Sequence, residues 1–575
     1  MNKLIRRRET HSSVQWDENK LHPLLARVYS GRGVRSSQDL DLGLTHLLPP
    51  AQLLNAERAA KMLADALAEQ QRILIVGDYD ADGATSTALA LDALKSFGAT
   101  QVSYLVPNRF EYGYGLTREI VELALEQGKP DIIITVDNGI SSIDGIATAR
   151  AQGINTLITD HHLAGHQLPD ADVIVNPNQP GCNFPSKNLA GVGVIFYIMM
   201  ALRSELRNRD WFADRTEPNL GRLTDLVALG TVADVVPLDR NNRILVAAGL
   251  QRIRAGQARP GIIALLEVAS RPLRGVVASD LGFAVGPRIN AAGRLDDISV
   301  GIECLLQDDP SAARRLASEL HQKNQDRRQI EQGMQDQALQ LLDELALDEV
   351  GVPVAMTLYQ GDWHQGVIGI LASRIKDRLH RPTIVFADGD ESEIKGSARS
   401  INGIHIRDIL DAVATRHPGM ILKFGGHAMA AGLTIPRELY RDFNTAFIAE
   451  VERHAKDVEL QAVVESDGEL GAGDFALDLA NELRFAGPWG QHFPEPVFDG
   501  HFKIVQQRLV GDKHLKLVLS LKDSQQIIDA IAFNVDLDVW PDESVLEVEV
   551  AYRLEVNEFR GKRSVQLMVE YLRAL

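Results

Sequence analysis

Three aspartates stand at alternate positions directly after an apolar run, in Ile73-Leu74-Ile75-Val76-Gly77-Asp78-Tyr79-Asp80-Ala81-Asp82-Gly83. Residues two apart in an extended segment face the same way, so Asp78, Asp80 and Asp82 converge. Crowded carboxylates repel one another unless a cation sits between them. One of them could instead cap the helix that the pattern Ala84-Thr85-Ser86-Thr87-Ala88-Leu89 announces, leaving the others solvated. Three in register on the lip of an apolar strand fit cation binding better. Two more apolar runs end in the same manner: residues 132–136 lead into Asp137-Asn138-Gly139, and residues 156–159 into Asp160-His161-His162. A further carboxylate, Asp234, lies in the apolar stretch Gly230-Thr231-Val232-Ala233-Asp234-Val235-Val236-Pro237. Alone it reads as readily as a helix cap or salt-bridge partner as it does as a ligand; beside the other clusters it reads as a ligand. The set is rich in oxygen, carries one or two imidazoles and lacks thiolate. It suits manganese or magnesium rather than structural zinc. Several carboxylates around one shared ligand suit two ions about 3.5–4 Å apart, an arrangement used in phosphoryl hydrolysis.

The elements that must hold these residues alternate between strand and helix. Strands are predicted over residues 73–77, 102–106, 132–136, 156–159 and 173–175, with helical patterns between them, as in 117–127 and 142–151. Such alternation makes a parallel α/β sheet with right-handed crossovers. Ligands of such sheets bind outside the carboxyl ends of the strands, where these aspartates and histidines fall. Helical segments follow over 189–306. Asp309-Pro310-Ser311 opens a helix to about residue 345, some 50 Å long. Its centre, 321–337, is polar almost all round and reads as a solvated bridge between domains. A second α/β unit covers 352–456. Beyond about residue 462 the period becomes two, and about five strands suggest a small barrel of the oligonucleotide-binding (OB) type. The expected divisions are an N-terminal packing segment over 1–50, centred on Trp16, Leu21, Leu24, Leu25, Val28 and Tyr29; a catalytic domain over 51–308; a connecting helix over 309–348; a second α/β domain over 349–460; and the barrel over 461–575.

Composition sets the outer bounds. A chain of 575 residues with 45% apolar and 24% charged residues is a multidomain globular protein. Cys182 and Cys304 cannot build a disulfide framework, which points to a reducing, cytoplasmic setting. Arg6-Arg7-Arg8 is followed by no apolar run, so no signal peptide is expected, and no apolar stretch is long enough to cross a membrane. A net charge of −18 leaves room for a nucleic-acid partner, because a sum hides local basic grooves.

Together, Asp78–Gly83, Asp137-Asn138-Gly139, Asp160-His161-His162 and Val232–Pro237 resemble the motifs of the DHH phosphoesterase superfamily. Trp363-His364-Gln365-Gly366-Val367-Ile368-Gly369, Lys395-Gly396-Ser397-Ala398-Arg399-Ser400 and Gly425-Gly426-His427-Ala428-Met429-Ala430-Ala431-Gly432 resemble its DHHA1-type partner domain. Gly286-Pro287-Arg288-Ile289-Asn290-Ala291-Ala292-Gly293-Arg294-Leu295, the long helix and the barrel are similar to the RecJ branch. The resemblance covers nearly the whole chain. It implies a metal-dependent, single-strand-specific DNA exonuclease that works from the 5′ end and releases 5′-mononucleotides in DNA repair and recombination. Two Mn2+ or Mg2+ ions are implied, held by Asp80, Asp82, Asp137, His161 and Asp234, with Asp137 as the bridge. Asp160 matches the group that orients a histidine, and His162 the histidine that faces the scissile phosphate. Asp78 completes the catalytic set. Relatives often carry a histidine just upstream of the aspartate pair; Val76 stands there, and Asp78 or water would compensate. Single-strand-binding protein and a recombination helicase are implied as partners. Two rival functions follow from the same motifs: a phosphodiesterase of short oligonucleotides or cyclic dinucleotides, and a non-catalytic replication scaffold.

Substrate contacts are expected from several segments. Arg288, Asn290 and Arg294 belong to a glycine-containing segment read as irregular, where arginines could grip the DNA backbone. Ser397 and Arg399 suggest a pocket for the 5′ phosphate, with His427 completing the site from the second domain. Arg109, Tyr112 and Tyr114 offer a cation and stacking rings. On the barrel, Lys503, Arg508, Lys513, Lys516 and Lys522, and a second cluster of Arg560, Lys562 and Arg563, could follow a phosphate backbone. Arg288, Arg294 and Arg399 could instead serve surface ion pairs, and the Arg109–Tyr114 segment reads equally as a packed aromatic loop.

Overall fold

Neighbouring residues of the first apolar run serve different cores. Ile73 and Ile75 pack on one face of a sheet, Leu74 and Val76 on the other. Ile132 and Ile134 are divided from Ile133 in the same way. A strand covered on both faces has no polar side to show, so it reads as a continuous apolar run. The computed structural model describes residues 3–10, 16, 21–107, 115–165, 167–344, 351–389, 392–456, 458–521, 526–537 and 539–575.

The chain is an α/β protein with a barrel at its C-terminal end. Strands are numbered from β1 (Leu4–Arg7). The first sheet comprises β2 (Ile73–Gly77), β3 (Val102–Leu105), β4 (Ile132–Val136), β5 (Asn155–Thr159) and β6 (Val173–Val175). All pairs are parallel and the order is β3-β2-β4-β5-β6. The chain passes from β2 to β3 on one side, then from β3 back across β2 to β4 on the other. The topological switch point therefore lies between β2 and β4, where a crevice opens at the carboxyl ends.

The helix Pro310–Glu344 joins this domain to the next. Its first turns bury Ala313, Ala317 and Leu320 in the first core; Met334, Ala338 and Leu342 join the core of the second domain. The expectation of a fully solvated centre is corrected here. Asn324, Arg327 and Glu331 are buried, and Arg374 of the second domain reaches Glu331 at 3.0 Å. Their burial is polar and paired, so the apolar pattern gives no sign of it.

In the second domain, β7 (Met356–Tyr359), β8 (Thr383–Asp388), β9 (Glu393–Arg399), β10 (Lys423–Gly426) and β11 (Ala430–Pro436) are ordered β10-β11-β9-β8-β7. Only β7 and β8 run parallel. A strand β12 (Val463–Ser466) pairs with β1. The barrel closes in the order β13-β14-β15-β17-β16, from β13 (Phe498–Val510), β14 (His514–Leu521), β15 (Ile527–Ala532), β16 (Glu547–Phe559) and β17 (Lys562–Ala574). One parallel pair, β15 with β17, closes it, as in the Greek-key OB barrel.

The barrel is no appendage. Tyr29 of the helix Pro23–Ser30 stacks on Trp489 at 5.9 Å, Arg7 bridges to Asp499 and Arg32 to Asp467, both at 2.7 Å. Its core residues are continuous with those of the first α/β domain. Of its basic residues, Lys516 is held by Asp529 at 2.8 Å and Lys522 lies outside the described residues; Lys503, Arg508 and Lys513 are exposed. No helix among the described residues is long and apolar enough to cross a membrane. Cys182 and Cys304 are buried and unbridged.

Candidate active site

The loop after β2 turns straight into the helix Ala81–Phe97. Asp80 is its N-cap, accepting from the amides of Asp82 and Gly83 at 2.9 and 3.0 Å. Asp82, 1% exposed, accepts from Gly191 N at 2.6 Å and Val192 N at 3.0 Å. It thus closes the start of a second helix, Gly191–Asn208. The capping reading and the ligand reading are therefore compatible. Asp137 follows β4 in the left-handed region, with φ of 63°, a conformation aspartate tolerates better than most residues. Asn138 fixes that turn by donating to Val136 O and Val76 O. Asp234 ends the helix Thr224–Ala233.

These residues meet in overlapping groups. Asp78, Asp80 and Asp137 bring ligand atoms within 4.8 Å of one another; so do Asp82, His161 and Asp234, and so do Asp137, His161 and His162. Asp137 and His161 each belong to two groups. His161 Nε2 lies 3.1 Å from Asp137 and 3.4 Å from Asp234. Asp160 is not aimed at the cluster. It accepts from the amides of Ile140, His161 and His162 and from His162 Nδ1 at 2.7 Å. Asn178 and Asn176 hold the carbonyls of His161 and His162.

Electrostatics separates the two sets. Burial raises the Asp160 carboxyl, but the bond from His162 and the nearby imidazoles outweigh it and hold it at about 2. Burial lowers His162, and Asp160 more than reverses that, to about 9. His161 is lowered, by burial and then by His162. Burial, followed by the neighbouring carboxylates, pushes Asp82 up to about 7 and Asp234 to about 8, and Asp78 and Asp137 well upward. Hard oxygen donors whose charge is this costly in isolation are what a divalent cation satisfies, so the residues fit Mn2+ or Mg2+.

That fit has a measurable sign. A carboxyl that keeps its proton longer in the folded state loses stability as pH rises from about 4, its unfolded value, toward its folded one. The metal-free protein should therefore weaken up to about pH 8, and a bound cation should remove the penalty. The gain in thermal unfolding midpoint on adding Mn2+ is expected to be larger at about pH 8.5 than at about pH 6. Equal gains would count against a cation site here.

A cleft of about 1830 Å3 opens between the two α/β domains. Tyr79, Asp160 and His162 line it from the first domain; Arg294, Ser397, Arg399 and His427 line it with them. The His427 ring lies over His162, with centroids 5.7 Å apart and planes at 23°. Gly426, at φ 146°, allows this turn, since a Cβ there would meet Ala430 O at 2.4 Å. Arg399 donates to Ser397 Oγ and Ala398 O, and burial lowers its pKa. No acid bridges it among the described residues. Both side chains approach Gly369, in the first turn of the helix Ile368–Leu379. A partly desolvated guanidinium at a helix N-terminus suits an anion.

The segment read as irregular is instead a regular helix, Gly286–Leu295; its glycines serve close packing, with Gly293 against Tyr79 O. Of its polar residues, Arg294 donates to Gly366 O at 3.0 Å across the cleft. Asn290 accepts from Ala81 N at 2.7 Å and so steadies the aspartate loop. Arg288 is buried against Ala284 O and His321, away from the cleft. Arg109, Tyr112 and Tyr114 lie outside the described residues. Sequence reasoning missed Gly191 and Gly230. A Cβ on Gly191 would lie 2.6 Å from Asp137 Oδ1, and one on Gly230 2.7 Å from Asp82 Oδ1. The only hint was glycine at the start of an apolar helical run, Ala190-Gly191-Val192-Gly193.

Carboxylates gathered from strand ends at a switch point, beside a cleft whose other wall carries the desolvated Arg399, are the arrangement of a phosphoesterase of the DHH class. The description "DHH family, N-terminal domain" fits residues 72–231, "DHHA1 domain" 351–453 and "RecJ OB domain" 466–571. The chain belongs to the RecJ family. It is 56% identical to the single-stranded-DNA-specific exonuclease RecJ of Dickeya dadantii, over 99% of this chain and 98% of that protein. Against its Escherichia coli counterpart the figures are 54%, 98% and 98%. The crystal structure of RecJ with Mn2+ from Thermus thermophilus superposes with a TM-score of 0.81 at 29% identity, covering 100% of this chain and 80% of that one.

Proposed function

We propose that this chain is a metal-dependent exonuclease that degrades single-stranded DNA from 5′ to 3′, releases 5′-mononucleotides and acts in DNA repair and recombination. The observation that carries the reading is the cleft lined both by His162, whose ring belongs to one group with Asp137 and His161, and by Ser397 and Arg399. The names of the relatives support single-strand specificity.

Two Mn2+ or Mg2+ ions would be held by Asp80, Asp82, Asp137, His161 and Asp234, with Asp137 shared and Asp78 beside it. Bound there, they would supply positive charge to the phosphoryl oxygens and lower the pKa of water. The chain's own residues do the rest. Arg399 and Ser397 hold the terminal phosphate and set polarity. His162, oriented by Asp160, donates a hydrogen bond to the scissile phosphate, and His427 closes over it. Asn290 keeps the aspartate loop in place, and Arg294 joins the domains across the bound strand. The cleft admits one strand and excludes a duplex. Single-strand-binding protein and a recombination helicase would supply the substrate, in the cytoplasm.

The test is product length from strands labelled at the 5′ or the 3′ end, in the presence of Mn2+. A 5′ label released at once as mononucleotide, with the 3′ label left on shortening strands, is expected. Early release of the 3′ label would reverse the polarity, and activity confined to di- or trinucleotides would replace the substrate. Polarity has its own variant. Arg399→Ala should slow cleavage of a 5′-phosphorylated strand by about 10–100-fold, the loss of a charge-assisted bond of about 1.5–3 kcal/mol. A 5′-hydroxyl strand should be slowed much less. Equal losses would move the terminal pocket elsewhere.

A further inference from the structure

The helical stretch leading to Arg294 is interrupted at one point. Ala278–Asp280 is α-helical, Leu281–Val285 makes a π-turn, and Gly286–Leu295 resumes the α-helix. Pro287 accounts for the widening. Its ring would collide with the carbonyl four residues back, that of Phe283, and it has no N–H to offer. The Gly286 amide reaches Leu281 O, five residues back, and the Arg288 guanidinium serves Ala284 O. Turns of this kind recur at functional sites.

This one presents Phe283. The side chain is 81% exposed, more than any other large apolar one among the described residues. It adds nothing to the core, so packing does not explain an aromatic ring there. A lone exposed apolar residue is ordinary; its position is the informative part. A Cβ on Gly282 would lie 3.2 Å from Val232, and one on Gly286 3.0 Å from Ala233. The turn therefore sits against the end of the helix that delivers Asp234. Farther along, Asn290 holds Ala81 beside Asp80, and Arg294 reaches the cleft. The 5′-phosphate pocket, the carboxylates and Phe283 thus follow one another along a helix of about 15 Å.

A cation stands on the adjoining connecting helix. Arg328 of the connecting helix is exposed and bridged to no acid among the described residues. It stands two turns along that helix from His321, which the buried Arg288 reaches at 3.0 Å, and it disfavours charge on Arg288, as does Arg271. An exposed ring and an exposed guanidinium on adjoining helices are the combination that binds single strands without reading sequence.

We propose that Phe283 and Arg328 form a platform for the nucleotides 3′ of the scissile phosphate, the ring stacking on a base and the guanidinium holding the backbone. This rests on the proposed function and extends it, because a strand fixed at its 5′ end and cleaved at the carboxylates must leave along a definite path. The platform would carry the downstream strand between cuts.

The experiment uses the full chain with Mn2+ and a 5′-phosphorylated strand whose first linkages are phosphorothioates that resist cleavage. A single 2-aminopurine is moved stepwise from the 5′ end. Stacking on Phe283 should quench its fluorescence at one position downstream of the first linkage. Phe283→Ala should abolish that quench and weaken binding roughly tenfold, whereas Phe283→Trp should keep both. Arg328→Gln should lower the slope of log affinity against log salt by about 0.7. Phe283 is on the surface, so neither change threatens folding. A Phe283→Ala protein with the parental quenching profile and affinity overturns the platform. If the parent protein cleaves an unmodified strand from the 5′ end while that result is obtained, only the platform fails. If the parent does not cleave, the proposed function fails first.

Discussion

Asp137→Asn is expected to reduce hydrolysis of single-stranded DNA by at least about 100-fold while leaving metal-free binding of the strand intact. Even the loss of a group that merely supports a metal ligand costs about 10–100-fold, and Asp137 belongs to two of the three ligand groups. Asparagine is the chosen replacement because the residue sits at φ 63°, which asparagine also tolerates. The change removes the charge and keeps the turn. Asp82→Ala should abolish hydrolysis as well, but it carries a second cost. It strips the acceptor from Gly191 N and Val192 N, and a lost helix cap destabilises by about 1 kcal/mol. Hydrolysis rates with saturating Mn2+, beside strand affinity in chelator, separate these effects. Turnover by Asp137→Asn within about tenfold of the parent would remove Asp137 from the centre.

In the first sheet β2, β4, β5 and β6 were legible in the sequence because they are buried on both faces along nearly their whole length, so their apolar runs are long and end abruptly. What lies at those ends was legible for the same reason: Asp78–Asp82, Asp137 and Asp160–His162 are the first polar residues after the runs. The barrel was legible in β14, where Leu515, Leu517 and Leu519 alternate with partly exposed neighbours. Contacts between segments distant in sequence were not. Nothing local shows that Asp82 starts a helix more than a hundred residues on, or that Asn290 serves the Ala81 amide. Nor does the sequence tell a phosphate-binding arginine from a packing one. Arg288 and Arg294 are six positions apart in one helix, yet one is turned toward His321 and the other across the cleft. Reading their segment as irregular hid that division, because glycines placed for close packing resemble glycines placed for a loop. Asn324, Arg327 and Glu331 escaped for a related reason. A polar residue buried against a polar partner leaves the apolar pattern unchanged.

Gly191→Ala is the change whose effect is least visible from the sequence. Gly191 opens the helix Gly191–Asn208, where alanine is ordinarily the better residue by about 1 kcal/mol. On helix propensity alone the variant would be neutral or stabilised. The site reverses that expectation. The added methyl would lie 2.6 Å from both Cβ and Oδ1 of Asp137, far inside contact distance. The helix start cannot withdraw easily, because its Gly191 and Val192 amides are held by the buried Asp82 carboxylate. Asp137 must move instead, or both carboxylates must, and overpacking of this kind costs about 1–3 kcal/mol. Helix propensity offsets part of that cost, so the fold should survive with a slightly lowered unfolding midpoint. The centre should not survive. Mn2+ affinity is expected to fall by about 10–100-fold, as for a displaced ligand, and hydrolysis at limiting Mn2+ should fall with it. Circular dichroism with thermal melting, calorimetric titration with Mn2+ and hydrolysis across a Mn2+ series test each part. If Gly191→Ala folds and binds Mn2+ as the parent does, Asp137 is not the shared ligand and the arrangement around it must be redrawn. If raising Mn2+ restores hydrolysis, the damage is to affinity and the cleft with its anion pocket is intact. If saturating Mn2+ leaves hydrolysis low, the displaced Asp137 also fails to orient the centre toward the strand.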